Sequence, residues 1–297
     1  MGKKILLFGE KGQVAWELRR SLSPMGAIHV LGSRDCDFRD SSSICKVIRD
    51  VKPEIIVNAS AYTNVEKAES EESTAAQVNG YALGVIGEEA ARINALVVHY
   101  STDYVFDGTK AEPYVEEDIS SPLNAYGRSK LNGEENLKSS GAKFLNLRVS
   151  WIYGNRGNNF YLTMLRLAKE RDELRVVNDQ IGAPTSCRYI ADVTAQIIRD
   201  SSLLDKCGTY HISTQGEASW HLFASEIISQ AREIHPNLHF AVKEIKPISS
   251  AEFGSKVSRP ANSRLNHEKV KKAFGIHAVE WQECLKRTLE DAIFLKF

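Results

Sequence analysis

The sequence has no excess of charge of either sign, and it holds few cysteines. Its 297 residues include 38 basic and 38 acidic side chains, which gives a formal net charge of zero. A protein that coats nucleic acid needs a basic excess or patch, so this balance argues against a nucleic-acid partner. The five cysteines are scattered without C-x-x-C spacing, which favours reduced thiols over a disulfide framework or a zinc site.

Long apolar runs are also missing. No window approaches the roughly 18 consecutive apolar residues that predict a membrane-spanning helix, and the run at residues 5–8 is too short for a signal peptide. We therefore expect a cytoplasmic protein without membrane attachment. Because 42% of the residues are apolar, the chain can form a hydrophobic core, which excludes global disorder. Its length, at roughly 150 residues per domain, predicts two domains or one domain with an added lobe.

The first half of the chain alternates short apolar runs with amphipathic stretches. Continuous apolarity is typical of strands that are buried on both faces of a parallel sheet. The strand-like runs lie at 5–8, 29–31, 55–57, 96–98 and 144–149, and the helical patterns lie at 13–22, 42–51, 73–94 and 124–139. This alternation predicts an α/β fold with a doubly wound parallel Rossmann sheet.

The pattern changes after about residue 150. Helical patterns cover 159–170 and 188–200, Ser219 is placed to cap a strong amphipathic helix, and a last helix begins near Glu280. Short strand candidates and proline-containing loops separate these helices. The second half therefore predicts a smaller α+β lobe.

We interpret the two parts as interleaved lobes that share one cleft. Residues 1–150, together with about 185–210, are expected to form a dinucleotide-binding domain. Residues 151–184 and 211–297 are expected to form the substrate-binding lobe.

A glycine turn joins the first predicted strand to the first helix. Gly9 and Gly12 are followed by Gln13 and Val14, and Ala15 stands where a third glycine is usual. Such a turn points backbone N–H groups and a helix N-terminus toward a phosphate. The segment predicts a dinucleotide site, and a merely structural turn is the alternative.

An acidic residue is missing where a site for NADH usually has one. The second predicted strand is followed by Gly32, Ser33 and Arg34, with no carboxylate at the strand end to hold a ribose hydroxyl. Ser33 and Arg34 suit a 2′-phosphate, so NADPH is favoured and NADH remains an alternative, as does a solvated loop. Asp37 and Phe38 are close enough to flank the adenine.

Tyr126 and Lys130 are spaced i, i+4 and therefore share one face of a predicted helix. A lysine charge beside a phenol lowers the phenol pKa, so Tyr126 could give a proton to a carbonyl oxygen while hydride reaches its carbon. Ser101 and Thr102 follow the fourth predicted strand, where α/β sheets bind ligands, and either could bind the substrate oxygen. A surface pair and a turn are the alternatives.

Several further segments accompany the glycine turn and the tyrosine and lysine. They lie at 57–63, 66–69, 101–106, 150–154, 157–160, 178–185 and 259–265. Over essentially its whole length, and in the same order, the chain resembles the extended short-chain dehydrogenase/reductases and, within them, the dTDP-4-dehydrorhamnose reductases. The resemblance implies NADPH-dependent reduction of the C4 ketone of dTDP-4-dehydro-6-deoxy-L-mannose to dTDP-L-rhamnose.

The resemblance also implies roles for individual residues. Tyr126 would be the proton donor, Lys130 its partner, and Thr102 would orient the ketone oxygen. The cofactor would contact Gly9, Gly12, Gln13, Val14, Ala61, Tyr62, Thr63 and Tyr100, besides Tyr126 and Lys130. The nucleotide-sugar substrate would contact Thr102, Asp103, Trp151, Asn159, Thr185 and Arg264. A core position for Trp151 and a surface charge for Arg264 are the alternatives.

Other interpretations stay open. A reductase or epimerase of another nucleotide deoxysugar would share these motifs, although Tyr104 after Asp103 argues against a dehydratase, which usually has Glu there. A non-catalytic subunit resembling the β subunit of methionine adenosyltransferase is an alternative of a different class. A homodimer is one option for assembly. The resemblance implies that some members dimerise through a magnesium ion held by acidic side chains. Glu17 could be one such ligand, but Arg188 stands where another acid would be expected, which argues against magnesium, and we predict no metal site.

Overall fold

Residues 2–292 are described by the computed structural model, and they contain twelve strands. In chain order the strands are β1 (Lys3–Phe8), β2 (Gly26–Leu31), β3 (Ile55–Asn58), β4 (Leu96–Thr102), β5 (Lys143–Val149), β6 (Ile152–Tyr153), β7 (Glu173–Val177), β8 (Ile181–Gly182), β9 (Thr185–Ser186), β10 (Gly208–His211), β11 (Ala218–Ser219) and β12 (Glu244–Ile248). Six of them form a parallel sheet in the order β10-β5-β4-β3-β1-β2. The strand order reverses beside β1, as in doubly wound folds, which confirms the predicted fold class.

Both faces of this sheet are covered, which explains the continuous apolar runs of its strands. Ile5 and Leu7 of β1 pack on one face, in the core that also contains side chains of the first and eighth helices. Leu6 and Phe8 pack on the other face, with side chains of the second and fifth helices. Neighbouring residues of one strand point to opposite faces, so each must be apolar when both faces are buried.

The helices mostly follow the predicted limits. They are α1 (Gln13–Leu22), α2 (Ser41–Val51), α3 (Val65–Ser70), α4 (Glu72–Ala76), α5 (Ala82–Arg92), α6 (Ala125–Ser139), α7 (Phe160–Glu170), α8 (Cys187–Arg199), α9 (Trp220–Ile234), α10 (Ser250–Phe253), α11 (Glu268–Phe274) and α12 (Trp281–Glu290). Ser219 caps α9 as predicted, because its hydroxyl accepts the N–H of Leu222 at 3.0 Å. Within residues 2–292, no helix is both long and apolar enough to cross a membrane.

The single helix expected at 73–94 is interrupted, which corrects one prediction. Between α4 and α5 the residues Gln77–Tyr81 form a π-helix. Its wider turn points the side chain of Asn79 inward, where Oδ1 accepts the N–H of Tyr62 at 2.8 Å and Nδ2 donates to the hydroxyl of Ser129 at 2.9 Å. Such insertions often accompany functional sites, and these long-range contacts leave no mark in a helical period.

A second hydrophobic core lies outside the sheet. It is built largely from α7, α9 and α12, whose side chains Tyr161, Phe223 and Trp281 are at most 1% exposed. Between α7 and α9 the chain returns to the sheet, where α8 packs in the first core and β10 forms the edge strand. Val270 of α11 also packs in the first core. The two cores are therefore formed by alternating parts of the chain.

Candidate active site

A cleft of about 440 Å³ opens where β1, β3 and β4 end. Its walls are Gly9, Glu10, Lys11, Gly12, Gln13, Val14, Gly32, Ser33, Asn58, Ala59, Ser60, Ala61, Thr63, Tyr100, Ser101, Tyr126, Lys130, Val149, Ile152, Gly157 and Asn158. Open α/β sheets bind ligands at these strand ends. A larger cleft of about 650 Å³ lies at the opposite edge, and none of the predicted site residues is among the described residues that line it.

The glycine turn forms one wall of the cleft. Gly9 has a φ of +106°, and a Cβ there would lie 2.7 Å from the carbonyl oxygen of Ala59, so only glycine fits. The N–H of Gly12 donates to the carbonyl oxygen of Gly9 at 2.7 Å, and α1 then begins at Gln13 without a capping side chain among the described residues. The first N–H groups of α1 are thus available to an anion. Ala15 is fully buried and packs in the first core.

The end of β2 forms the exposed rim of the cleft. Gly32 and Ser33 line it, whereas Arg34 is exposed and lies outside the lining. The carboxylate of Glu10 occupies the space beside Gly32, since a Cβ built at Gly32 would lie 2.8 Å from its Oε2. Two carboxylates are therefore present at this rim. Glu10 comes from the glycine turn, and Asp35, whose Oδ2 accepts the N–H of Gly32 at 2.9 Å, comes from just after the strand end.

Asp37 and Phe38 lie away from the lining of the cleft. The carboxylate of Asp37 accepts hydrogen bonds from the Arg39 side chain at 2.7 to 3.2 Å, and this partner lowers the pKa of Asp37 to about 2. Phe38 is buried, with its ring 5.1 Å from that of Phe8 in an edge-to-face contact. Their predicted role beside an adenine stays a prediction.

The segment after β3 places two of its three predicted residues in the cleft. Ala61 and Thr63 line it. The Tyr62 side chain points away, and its hydroxyl donates to Glu71 at 2.6 Å. The backbone of Tyr62 is held at both polar groups by Asn79, which accepts its N–H at 2.8 Å and donates to its carbonyl oxygen at 3.0 Å. The π-helix therefore fixes this wall of the cleft.

Tyr126 and Lys130 lie on one face of α6, as their spacing predicts, and both line the cleft. Asn124 begins the helix, because its side chain accepts the N–H of Gly127 at 2.8 Å. A Cβ at Gly127 would lie 2.3 Å from the carbonyl oxygen of Tyr104. Glycine at this position lets α6 approach the end of β4 closely enough to bring the tyrosine and the lysine to the cleft.

Burial dominates the electrostatics of these groups. It raises the pKa of Tyr126 to about 12, with the Asp103 carboxylate adding to the rise and the Thr102 hydroxyl opposing it. It lowers the pKa of Lys130 to about 7, against the attraction of Glu134. The tyrosine pKa thus moves opposite to the direction expected from a neighbouring ammonium alone, since desolvation disfavours the charged form of each group.

Polar residues at the end of β4 form the floor beside Tyr126. Ser101 lines the cleft, and within the described residues its buried hydroxyl has no hydrogen-bond partner. Thr102 and Asp103 are buried just behind it, and the Thr102 hydroxyl donates to Asp103 at 3.1 Å while it accepts the N–H of Tyr104 at 3.1 Å. Burial raises the pKa of Asp103 to about 6. Tyr100 is buried and lines the cleft beside them.

Two of the predicted substrate residues are buried in the second half of the chain. Trp151 stacks on Trp220 with ring centres 3.6 Å apart, and its φ is +46°, which is rare for a bulky side chain. Its ring also lies against Gly182, where a Cβ would come within 2.5 Å of it. Thr185 is fully buried, and its hydroxyl donates to the carbonyl oxygen of Ala183 at 2.9 Å. Neither residue is in the lining of the cleft.

The last two predicted substrate residues, Asn159 and Arg264, connect different segments of the chain. Asn159 caps α7, where its oxygen accepts the N–H of Leu162 at 3.0 Å, and its nitrogen donates to the Gln13 side chain at 3.0 Å. It thereby joins the second half of the chain to the glycine turn. Arg264 donates to Glu217 at 2.6 Å and is partly exposed. The ligand roles of both residues stay predictions.

Arg188, at the position where an acidic metal ligand would be expected, forms ion pairs with carboxylates. Its guanidinium lies 3.4 Å from the Glu17 carboxylate and also pairs with Asp291. Glu17 pairs in addition with Arg20 at 3.1 Å. Within residues 2–292, no three His, Cys, Asp or Glu side chains are grouped so that they could hold a metal ion.

Several lining residues were given no individual role from the sequence, although most of them lie in the glycine turn or in the segments that carry the resemblance. They are Glu10, Lys11, Asn58, Ala59, Ser60, Val149, Ile152, Gly157 and Asn158. Residues 58–60 directly follow a buried strand, which is the same signal that pointed to Ser101 and Thr102. The loop residues Gly157 and Asn158 come from beyond the sheet, and no strand-end rule could have placed them.

Comparisons with known proteins agree with this geometry. A family model described as the RmlD substrate binding domain matches residues 3–294. The chain is 42% identical over 296 residues to the dTDP-4-dehydrorhamnose reductase of Burkholderia thailandensis, which covers 98% of this chain and 99% of that one. It is 43% identical over 292 residues to the dTDP-4-dehydrorhamnose reductase of Salmonella typhimurium, with 97% of each chain covered.

A comparison with a solved structure points to the same family. The dTDP-4-dehydrorhamnose reductase of Bacillus anthracis, in complex with NADP, matches with a TM-score of 0.90 at 35% identity and covers 97% of this chain and 99% of that one. The match covers nearly the whole chain, and therefore includes both cores and the cleft. This chain therefore belongs to the dTDP-4-dehydrorhamnose reductase family.

Proposed function

We propose that this protein reduces the C4 ketone of dTDP-4-dehydro-6-deoxy-L-mannose to dTDP-L-rhamnose with NADPH. The observation that carries the proposal is that Tyr126 and Lys130 line the same cleft as the glycine turn. A proton donor thus stands where a cofactor anchored at the turn would place its reactive ring. Family membership adds the substrate, since all three relatives named above carry this activity in their names.

The glycine turn and the start of α1 would hold the cofactor pyrophosphate, and Ala61 and Thr63 would line its path to Tyr100. Bound NADPH supplies a hydride to the ketone carbon. Within the chain, the first N–H groups of α1 bind phosphate oxygens, because a helix N-terminus favours negative charge. Bound cofactor and substrate would displace water from the cleft, which would strengthen the polar contacts at the reacting atoms.

Tyr126 would donate the proton to the developing alkoxide. With a pKa of about 12 its phenol is fully protonated at neutral pH, and an alkoxide is a stronger base than a phenolate. The Thr102 hydroxyl is within hydrogen-bond reach of the Tyr126 phenol, and Ser101 lines the same cleft; both would orient the ketone oxygen. Lys130 would hold the nicotinamide ribose and offset the charge left on the phenolate.

The choice between NADPH and NADH would be set at the rim by β2. Ser33, Arg34 and Lys11 favour a 2′-phosphate, and the NADP bound by the Bacillus anthracis relative supports NADPH. The carboxylate of Glu10 beside Gly32 opposes it by charge repulsion and could accept a ribose hydroxyl instead. We therefore propose NADPH as the preferred cofactor and NADH as a weaker substitute.

The second core would carry the substrate. Asn159, which reaches Gln13 from α7, joins that core to the phosphate turn and would couple binding of the two ligands. Trp151, Thr185 and Arg264 are proposed to shape the nucleotide end of the pocket. The dinucleotide domain would then comprise residues 1–150 with about 185–210. The rest would form the substrate lobe, apart from α11, which packs in the first core.

A stoichiometry assay tests the proposal directly. Purified protein with the keto sugar should oxidise one NADPH for each ketone reduced, followed at the nicotinamide absorbance band. An epimerase would need the cofactor only in catalytic amounts, and a non-catalytic subunit would show no turnover and would be isolated with a partner enzyme. Absence of NADPH oxidation above the rate of a Tyr126→Phe control would refute the reductase.

A further inference from the structure

An acidic side chain continues the face of α6 that carries the tyrosine and the lysine, and the proposed reaction gives it no task. Glu134 follows Lys130 by four residues, as Lys130 follows Tyr126, so the three side chains lie along one face of the helix. Glu134 is 8% exposed, and Lys130 is 1% exposed. A carboxylate is therefore buried one helical turn beyond the lysine.

Arg148 of β5 fixes this carboxylate. Its Nε lies 3.0 Å from Oε1 of Glu134 and 3.2 Å from Oε2, and its Nη2 lies 2.6 Å from Oε2. Because a guanidinium is always charged and its N–H groups match the two oxygens of a carboxylate, such a pair fixes both the position and the charge of the acid. The guanidinium also lies over Phe106, whose ring centre is 5.0 Å from its Cζ.

Stability alone does not account for this buried pair. The cost of removing two charges from water offsets much of their attraction, so apolar residues of similar volume are often at least as stabilising. The same helix uses such a residue nearby, since Leu137 is fully buried in an apolar core. A charge at position 134 therefore calls for an explanation in the neighbouring site.

Lys130 is the neighbour that needs a compensating charge. Its Nζ donates to the carbonyl oxygen of Tyr100 at 2.6 Å and lies 3.0 Å from Nε2 of His99. The ring of His99 can donate from Nδ1 to the Asn58 backbone, which leaves Nε2 to accept from the ammonium. Both partners of Nζ are then neutral acceptors. Burial lowers the pKa of Lys130 to about 7, and the attraction of Glu134 opposes that fall.

We propose that Glu134 is a positioning residue for Lys130, whose buried carboxylate, fixed by Arg148, holds the lysine as an ammonium at the wall of the cleft. The proposal rests on the proposed reductase function for its catalytic meaning. In that reaction the ammonium has one N–H left for the ribose and offsets the charge on Tyr126. Glu134 sets the pH up to which the lysine can do so.

Two substitutions separate the charge of Glu134 from its shape. Glu134→Gln keeps the shape, removes the charge and leaves the Arg148 cation without its counter-charge. Glu134→Asp keeps the charge but shortens the side chain, which disturbs the contact with Arg148. Glu135→Gln is the matched control, since Glu135 lies on the exposed side of the same helix. The proposal predicts that only Glu134→Gln changes the lysine, whereas a purely structural role predicts that both changes at this position act alike.

Two measurements report the charge of the lysine. In the protein without ligands, the ¹³Cε shift of labelled lysine follows the protonation of Lys130, and its signal is identified by its loss in Lys130→Met. The titration midpoint should fall by about one pH unit in Glu134→Gln and should stay near the wild-type value in Glu134→Asp and Glu135→Gln. With NADPH and keto sugar, the alkaline limb of kcat should move to lower pH in Glu134→Gln alone, because the reaction needs the ammonium.

The other titratable groups near the lysine are the same in all these variants, so their influence cancels in the comparison. Those of β4 and its end, of α6, and of the glycine turn across the cleft are His99, Tyr100, Asp103, Tyr126, Glu10 and Lys11. A difference between Glu134→Gln and Glu134→Asp therefore reports the charge at position 134.

An unchanged lysine midpoint in Glu134→Gln would overturn the proposal, as would an equal fall in Glu134→Asp. Should Glu134→Gln not fold, the double variant Glu134→Gln with Arg148→Met serves in its place, because it leaves neither buried charge unpaired. Its midpoint should also fall, and an unchanged value would count equally against the proposal. The two proposals fail separately. The expected midpoints without NADPH turnover would reject only the reductase, whereas normal turnover with an unmoved midpoint would reject only the role of Glu134.

Discussion

The two ends of the cleft differ in how deeply their polar groups are buried. At the end of β4, His99, Asp103 and Lys130 are between 1% and 4% exposed and have fixed hydrogen-bond partners. At the end of β2, Ser33 and Arg34 are exposed. Desolvation shifts pKa values at the first end, whereas water and salt screen charges at the second. The buried end is therefore suited to proton transfer, and the exposed end is suited to a graded choice of cofactor.

The largest effect should come from the buried end. Tyr126→Phe removes the proton donor and should lower kcat by about 10²–10⁴-fold, the usual contribution of general acid catalysis. NADPH affinity, measured by fluorescence titration, should stay unchanged because the ring remains. Tyr104→Phe is a matched control, since that ring packs edge-to-face on Tyr126 at 5.7 Å; an equal loss there would mean that packing, and not the hydroxyl, carries the effect.

Lys130→Met should lower kcat by about a hundredfold and should also change how stability depends on pH. The lysine pKa falls from 10.5 to about 7 on folding. Between these values the unfolded chain binds one more proton, so this residue makes the free energy of unfolding rise with pH. Urea titrations should show that the free energy of unfolding of the wild type increases relative to that of the variant as the pH rises through that window.

The control for this titration is Lys138→Met, on the exposed side of the same helix. It should leave the pH dependence of unfolding parallel to that of the wild type. A parallel curve for Lys130→Met as well would show that the buried lysine keeps an ordinary pKa, and the contrast between the two ends of the cleft would lose its electrostatic basis.

The exposed end should give smaller effects. Arg34→Ala removes one solvent-exposed charge proposed to meet the 2′-phosphate and should weaken NADPH binding by about fivefold, while NADH binding stays unchanged. Titrations with both cofactors, at low and at high salt, provide the measurement. Equal weakening for the two cofactors would place Arg34 at a contact that they share.

Glu10→Gln should have the smallest effect and the opposite sign. Removing one of the two carboxylates beside Gly32, while Asp35 remains, relieves part of the repulsion of the 2′-phosphate, so the ratio of NADPH to NADH affinity should rise by about twofold to fivefold. Glu135→Gln, on the exposed side of α6, controls for net charge. A ratio that does not move would exclude Glu10 from cofactor choice.

Much of the fold follows from local patterns, and the exceptions are informative. α1 begins at Gln13 and α6 ends at Ser139, as the apolar period predicts, because in both cases the period and the tertiary packing agree. The π-helix could not be foreseen, since it depends on Asn79 meeting segments distant in the chain. The positive φ of Trp151 is likewise imposed by its stacking and by the space at Gly182.

The candidate site likewise combines residues that the sequence predicts with contacts that depend on the folded structure. The spacing of Tyr126 and Lys130 predicted a shared helix face, and the structure brings both to the cleft. The partners of Lys130 were not predicted, because His99 reads as one more member of a buried strand until the donors and acceptors around it are known. Hydrogen-bond direction is a property of the assembled structure, and a single sequence carries little record of it.

The alternation of the chain between its two cores restricts how such a protein can evolve. The chain leaves the sheet core after β5, returns for α8 and β10, leaves again for α9, and returns once more at α11 before α12 packs in the second core. No single crossover in the gene could exchange one core for that of a relative and leave the other intact. New substrate preferences in this architecture must therefore arise by point substitution or by loop replacement, and not by shuffling of whole modules.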